Sequence, residues 1–301
     1  MVDGKEKADL PNPYQELHIY LIDGFVPEQD EAAFGEGFIG RWIEGENSFL
    51  FFSEPARDKM DTLLKSHPDL SLVEEHRFSY EEWQGSQLEA VRVADFLIVP
   101  PWHKAEAGKG EIKIVIDPGV VFGTGAHPTT RDCLSALLYL RKRNRFRSVL
   151  DLGTGTGILS LAAALLGAER VLAVDVNPLC VKTAIRNAGL NRLEGIIKVI
   201  EGDATAFMSE EADLMIANVH YDLLLRLLEL DDFSRKEWLI LSGLLRSQAR
   251  HMEAKLSQYH LEPIRLWEHE EIWYTMLVRG NDQRQKLNHE NTKRGKHERE
   301  E

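Results

Sequence analysis

The stretch SVLDLGTGTGILS, Ser148 to Ser160, decides the fold. A short apolar run, Val149-Leu150, ends at Asp151. Glycines follow at every second position, Gly153, Gly155 and Gly157, and an apolar helical pattern starts at once with Ile158-Leu159. That order reads as strand, tight glycine turn and helix N-terminus. Such a junction lets a ligand approach the backbone closely, beside the free N–H groups and positive dipole end of the helix. The dinucleotide fingerprint G-x-G-x-x-G demands a glycine three places after its second glycine. Those places hold Ile158 and Ser160, so the dinucleotide match fails.

The pattern D-x-G-x-G, Asp151 to Gly155, instead resembles the first motif of class I S-adenosylmethionine-dependent methyltransferases, whose cofactor has no pyrophosphate to cradle. Downstream, VLAVDVNP places Asp175 at the end of the next apolar run. There a carboxylate can accept from both ribose hydroxyls, a demand dinucleotide folds meet at the same place. EGDA then sets Asp203 just beyond a third run, IIKVI, where that class holds the adenine. Asp151, Gly153, Gly155, Asp175 and Asp203 are therefore the expected cofactor-binding residues of this half.

The 301 residues suffice for two domains, and 43% hydrophobic with 28% charged residues is ordinary for a globular protein. The formal net charge of -13 argues against non-specific binding to a nucleic-acid backbone and suits a basic protein partner. Cys133 and Cys180 lie far apart without ligand spacing, so neither a disulfide framework nor a structural metal is expected. The polar, proline-bearing N-terminus does not read as a signal peptide, and the longest apolar stretch, Leu159 to Ala168, is too short to span a bilayer. A cytoplasmic location, with no membrane contact, is the expectation; the oligomeric state is left open.

Working outward, residues 14–80 show strand, helix, strand, strand, helix, strand: Tyr14 to Ile22, a short helix in Pro27 to Gly37, FIGRWIE, SFLFFS, ARDKMDTLLKSHP and LSLVEEHRF. This is the order of a small ferredoxin-like α/β domain. Its aromatic hairpin, Trp42 through Phe52, reads as core rather than recognition surface. Residues 81–110 form a connector, too apolar to stay solvated, with Pro100-Pro101 stopping regular structure. Residues 111–280 alternate strand and helix as a doubly wound, mostly parallel α/β sheet. Strands are expected from 148 to the run's end at Asp151 and at 171–175, 196–200, 213–217 and 238–241, and helices at 158–166, 178–188, 221–228 and 244–256. LEPIRLWEHE and EIWYTMLVR then make an antiparallel closing hairpin. Residues 281–301 are almost entirely polar and charged and read as a disordered tail.

Two further features narrow the class. DPGVVFGTGAHPTT, Asp117 to Thr130, carries a second glycine loop, with a helix opening at Pro128 that His127 can cap. In IANVHYDLL, Asn218 ends the fourth strand, at the crevice where open α/β sheets bind ligands. Its amide oxygen can accept from an incoming N–H.

With these loops on the page, together with LILSGLL and the small N-terminal domain, residues 14–279 resemble the PrmA family of bacterial ribosomal protein methyltransferases. The resemblance implies that Thr124, Gly125 and His127 belong to a loop closing over S-adenosylmethionine. It also implies that Gly153 and Asp175 hold the methionine and ribose parts, that Asn218 lies beside the transferred methyl as the catalytic residue and one of those binding the cofactor, and that the small N-terminal domain recognises the substrate. The implied acceptors are lysine and N-terminal amines of the stalk-base protein L-eleven. The chain departs from the family after Asn218, where His220 and Tyr221 replace a usual small residue, and a bulky aromatic there is expected to narrow the acceptor channel. His127, His220 and Asp222 are candidate general bases, with proton loss to water the alternative. Other readings are methylation of a different protein, as in relatives acting on the electron-transfer flavoprotein β subunit, and a cofactor-binding assembly factor without turnover.

Overall fold

The computed structural model describes residues 15–85 and 89–280. Tyr14 and the expected tail, 281–301, lie outside the described residues. The chain opens with β1 (Glu16–Asp23), a 3-10 turn (Glu28–Phe34), β2 (Phe38–Glu44), β3 (Asn47–Phe52), α1 (Arg57–Ser66) and β4 (Ser71–Ser79). The four strands pair antiparallel in the order β2-β3-β1-β4, the topology expected of the ferredoxin-like pattern. Strand alternation gives the sheet two apolar faces. Tyr20, Ile22, Leu50 and Phe52 meet Phe34 and α1's Met60 and Leu63 on one side. On the other, Leu17, Ile19 and Phe51 pack with Val120, Val121 and Leu179 from the rest of the chain.

A short α2 (Tyr80–Gln84) follows, held by a capping box between Ser79 and Glu82. The connector expected at 81–110 proves to be more than a packed strap. It carries β5 (Val91–Val93) and β6 (Phe96–Val99), which join β7 (Ile112–Val115) in a three-stranded sheet. Nothing in the sequence marks this hairpin: its turn is Ala94-Asp95, with Ala94 at φ 50° and no glycine or asparagine. All four residues of β6 are buried, so it shows no alternation either.

The larger unit continues through α3 (Pro128–Arg141), β8 (Ser148–Leu152), α4 (Ile158–Leu165), β9 (Arg170–Asp175), α5 (Pro178–Leu190), β10 (Ile197–Glu201), β11 (Leu214–Asn218), α6 (Tyr221–Leu228), β12 (Trp238–Leu245), α7 (Arg246–Gln258), β13 (Glu262–His269) and β14 (Trp273–Arg279). Seven strands form one sheet in the order β10-β9-β8-β11-β12-β14-β13. The first five run parallel, and β14 pairs antiparallel with both β12 and β13, closing the sheet as the final two runs predict. Helices cover both faces, giving one core under α3 and α4 and another under α6 and α7.

The helix expected from Leu244 starts later, at Arg246. Gly243, at φ 84°, makes a bulge instead of ending β12, so Leu244 and Leu245 still pair with Tyr274 and Trp273. No helix among the described residues is long and apolar enough to cross a membrane.

Candidate functional site

The strand order reverses between β8 and β11: β9 lies on one side of β8, and β11 on the other. That reversal opens a crevice at the carboxyl ends of the strands. The residues at its mouth are Gly153 after β8 and Asn218 at the end of β11. They lie so close that a Cβ on Gly153 would collide with Cγ1 of Val219. A cavity of about 530 Å³ fills the crevice, within the usual range for a cofactor-sized ligand. Its wall includes His127, Gly153, Asp175, Asp203 and Asn218.

The remaining expected residues stand behind this wall. Asp151 is buried, and Ser160 Oγ and Thr154 Oγ1 donate to its Oδ2 at 2.6 and 2.7 Å. Burial prevails over those donors and pushes its carboxyl up to about 6. Gly155 sits at φ 56°, and a Cβ there would meet the Phe122 carbonyl oxygen at 2.5 Å. Its lack of a side chain makes room for the loop partner. The two loops are locked together because Thr156 donates twice, from N to Phe122 O at 3.0 Å and from Oγ1 to Gly123 O at 2.6 Å. Gly125, at φ 86°, is pressed against Ile98, and Thr124 Oγ1 accepts from Ala126 N within its own turn.

Asn187 of α5, which carries no motif, completes the scaffold from a fully buried position. Its Nδ2 donates to Asp117 O and Thr156 O at 3.0 and 2.8 Å, while its Oδ1 accepts from Asp117 N.

Asp175 ends β9 as expected. Gly155 N donates to its Oδ2 at 2.9 Å and Asn177 N to its Oδ1 at 3.0 Å, so the carboxylate holds the glycine loop while facing the cavity. A carboxylate offers about four lone-pair sites, which leaves acceptors for a diol. Burial raises its carboxyl above the ordinary aspartate value despite these donors. Asp203 is half-exposed and caps a 3-10 turn (Ala204–Phe207), its Oδ1 accepting from Thr205 N and Oγ1. Those bonds, aided by Arg226 at 3.4 Å, hold its carboxyl low.

His127 is both cap and wall. Its Nδ1 accepts from Thr129 N at 3.3 Å at the start of α3, and its ring stands edge-on between Phe122 and Trp273 at 5.1 and 5.0 Å. Burial, with His269 nearby, lowers its pKa and keeps the imidazole neutral. Among the described residues no hydrogen bond engages the Asn218 side chain, which faces the cavity beside His220 and Leu223.

Tyr221 does not narrow this space. It turns toward α7, where its hydroxyl pairs with Nδ1 of His251, while His220 takes the place on the wall. Trp42, read from the sequence as core, also lines the cavity, together with Phe122, Val176 and Trp273. Phe122 lay inside the quoted loop, but Trp42 and Trp273 belong to strands remote in sequence, and no local pattern brings them here.

The donor set suits an S-adenosyl nucleoside. It comprises a carboxylate for a diol, a glycine-lined approach at Gly153, an apolar wall with exposed Val176 for a base, and an amide at the mouth.

Fold and crevice together are those of the Rossmann-like methyltransferase sheet. The model of the family described as "Ribosomal protein L11 methyltransferase (PrmA)" matches residues 52–281, and the chain belongs to this family. Among relatives, a ribosomal protein L11 methyltransferase of Heliobacterium modesticaldum is 46% identical over 132 residues, 44% of this chain and 41% of that protein. One from Myxococcus xanthus is 35% identical over 204 residues, 67% of this chain and 70% of that protein. The match spans about half the length of several such curated relatives. A solved ribosomal protein L11 methylase from Lactobacillus delbrueckii subsp. bulgaricus superposes with a TM-score of 0.57 at 28% identity, covering 64% of this chain and all of that one.

Proposed function

We propose that this protein transfers methyl groups from S-adenosylmethionine to lysine side chains and the N-terminal amine of ribosomal protein L11. The observation that carries the reading is Asn218, whose unengaged amide shares one cavity with Asp175 and the glycine loop. When bound, the cofactor supplies a methyl group already activated by its sulfonium. The chain's task is then positioning and exclusion of water. Asp175, Gly153, Val176 and Ala204 line one cavity; there Asp175 would accept from the ribose hydroxyls, the Gly153 backbone would admit the amino-acid end, and Val176 and Ala204 would border the base.

A lysine amine has a reference pKa of about 10.4, so on the order of one in a thousand is neutral at pH 7. An apolar rim of Phe122, Leu223 and Trp273 favours that neutral form by desolvation, and the Asn218 oxygen accepts one of its hydrogens, aiming the lone pair at the methyl. Neutral His127 and exposed His220 border the path by which the proton leaves. The net charge of -13 favours a basic protein partner, and the cytoplasm, where ribosomal proteins are made, is the expected place of reaction.

The test uses methyl-labelled cofactor and ribosomal proteins from a host lacking the enzyme. Label should appear in one small basic protein. Asn218→Ala should lose label by about a hundredfold at saturating cofactor, the scale of losing one preorganised polar contact at a reacting centre. Label in RNA alone, or none with cofactor bound, contradicts the reading.

A further inference from the structure

The N-terminal sheet is not merely tethered beside the cavity. Trp42 of β2 forms part of its wall, as do the Asp175–Asn177 segment and Cys180. Trp42 lies outside the residues matched by the family model, which begins at residue 52.

The sheet is held in place from two directions. Two residues before Trp42, and so on the same face of β2, Gly40 touches α5 so closely that a Cβ would collide with Cδ2 of Leu179. Nearby, Glu31 bridges Arg41 at 3.1 Å and Lys182 of α5 at 3.3 Å. On the other side the Tyr80 hydroxyl donates to Gly119 O, and Trp83 Nε1 donates to Val120 O at 3.1 Å. Those carbonyls begin the turn that ends in Phe122, itself on the cavity wall.

We propose that Trp42 is a cofactor-binding residue supplied by the N-terminal sheet, its indole closing the nucleoside side of the cavity, so that docking of this sheet on α5 and binding of the S-adenosyl nucleoside reinforce one another. This rests on the methyltransferase reading above. The chemistry is that of a flat apolar ring beside a purine nucleoside, where loss of an aromatic contact costs about five- to a hundredfold in affinity. Because the same strand carries both Gly40 and Trp42, anything that lifts β2 from α5 removes the indole from the pocket. Reciprocity then requires the nucleoside to favour the docked sheet.

Calorimetric titration of the full chain with S-adenosylhomocysteine tests this. Trp42→Ala and Trp42→Gln should each weaken binding at least about fivefold, and Trp42→Phe, which keeps an aromatic face, should recover most of the loss. Gly40→Leu should weaken binding similarly by lifting β2, and adding Trp42→Ala to it should cost little more, because both act through one contact. Circular dichroism on each variant confirms the fold, and the Gln and Phe variants carry the test if the alanine variant unfolds. Binding by Trp42→Ala and Trp42→Gln within twofold of wild type, or fully additive losses with Gly40→Leu, overturns the proposal alone. A wild-type chain that takes up no nucleoside overturns the methyltransferase reading and this proposal with it.

Discussion

Asp151 shows how one residue of the glycine motif is held inside the fold. Its carboxylate is buried at the end of β8, and two hydroxyls donate to a single oxygen. Desolvation outweighs them, so the folded carboxyl titrates near 6, against about 3.9 unfolded. Between those values the folded chain binds more protons than the unfolded one, and stability falls as pH rises through that window. The contribution is fully present below the unfolded value and lost once pH passes about 6. At about 1.4 kcal/mol per unit over about two units, the full scale is about 3 kcal/mol. Urea unfolding from pH 4 to 7 should show wild type losing most of that relative to Asp151→Asn. Parallel pH profiles for the two would contradict the assignment.

At the scale of elements, α3 depends on His127 for its start. The imidazole replaces a usual Ser or Asp cap by accepting from Thr129 N, with Pro128 preset in the first turn. His127→Ala should cost about 1 kcal/mol in urea unfolding, and His127→Asn should restore that part. If the ring also matters as wall, the asparagine variant should still bind S-adenosylhomocysteine more weakly than wild type, since it leaves Phe122 and Trp273 without their partner.

The elements with strong local signals were legible in the sequence. Alternation and turn signals marked β1 to β4, glycine punctuation marked the β8 turn, and cap signals marked the start of α3. Elements whose signal is tertiary were not. The β5–β6 hairpin turns without glycine, and β12 runs past Gly243 because β14 keeps pairing with it. The site divides in the same way. Asp175 and Asn218 end strands and could be placed by counting, whereas Trp42 and Trp273 reach the cavity only through packing of strands distant in sequence. Closeness in sequence to Asn218 points Tyr221 at the channel, but the helical turn carries its ring toward His251.

Across the whole molecule, the two apolar faces of the N-terminal sheet explain why it is not a loose appendage. An antiparallel sheet commonly leaves one face to water. Here the second face is buried on Val120, Val121 and Leu179, which places Trp42 at the cavity. The cavity that the two units share holds Asn218, and the molecule carries a net charge of -13. The account therefore stands or falls on amine methylation of a basic ribosomal protein. Intact-mass spectrometry of unmodified ribosomal protein L11, incubated with this protein and S-adenosylmethionine, should show stepwise mass increases of one methylene each, mapping to lysine or N-terminal amines. An unchanged mass, with cofactor binding demonstrated in the same sample, would contradict it.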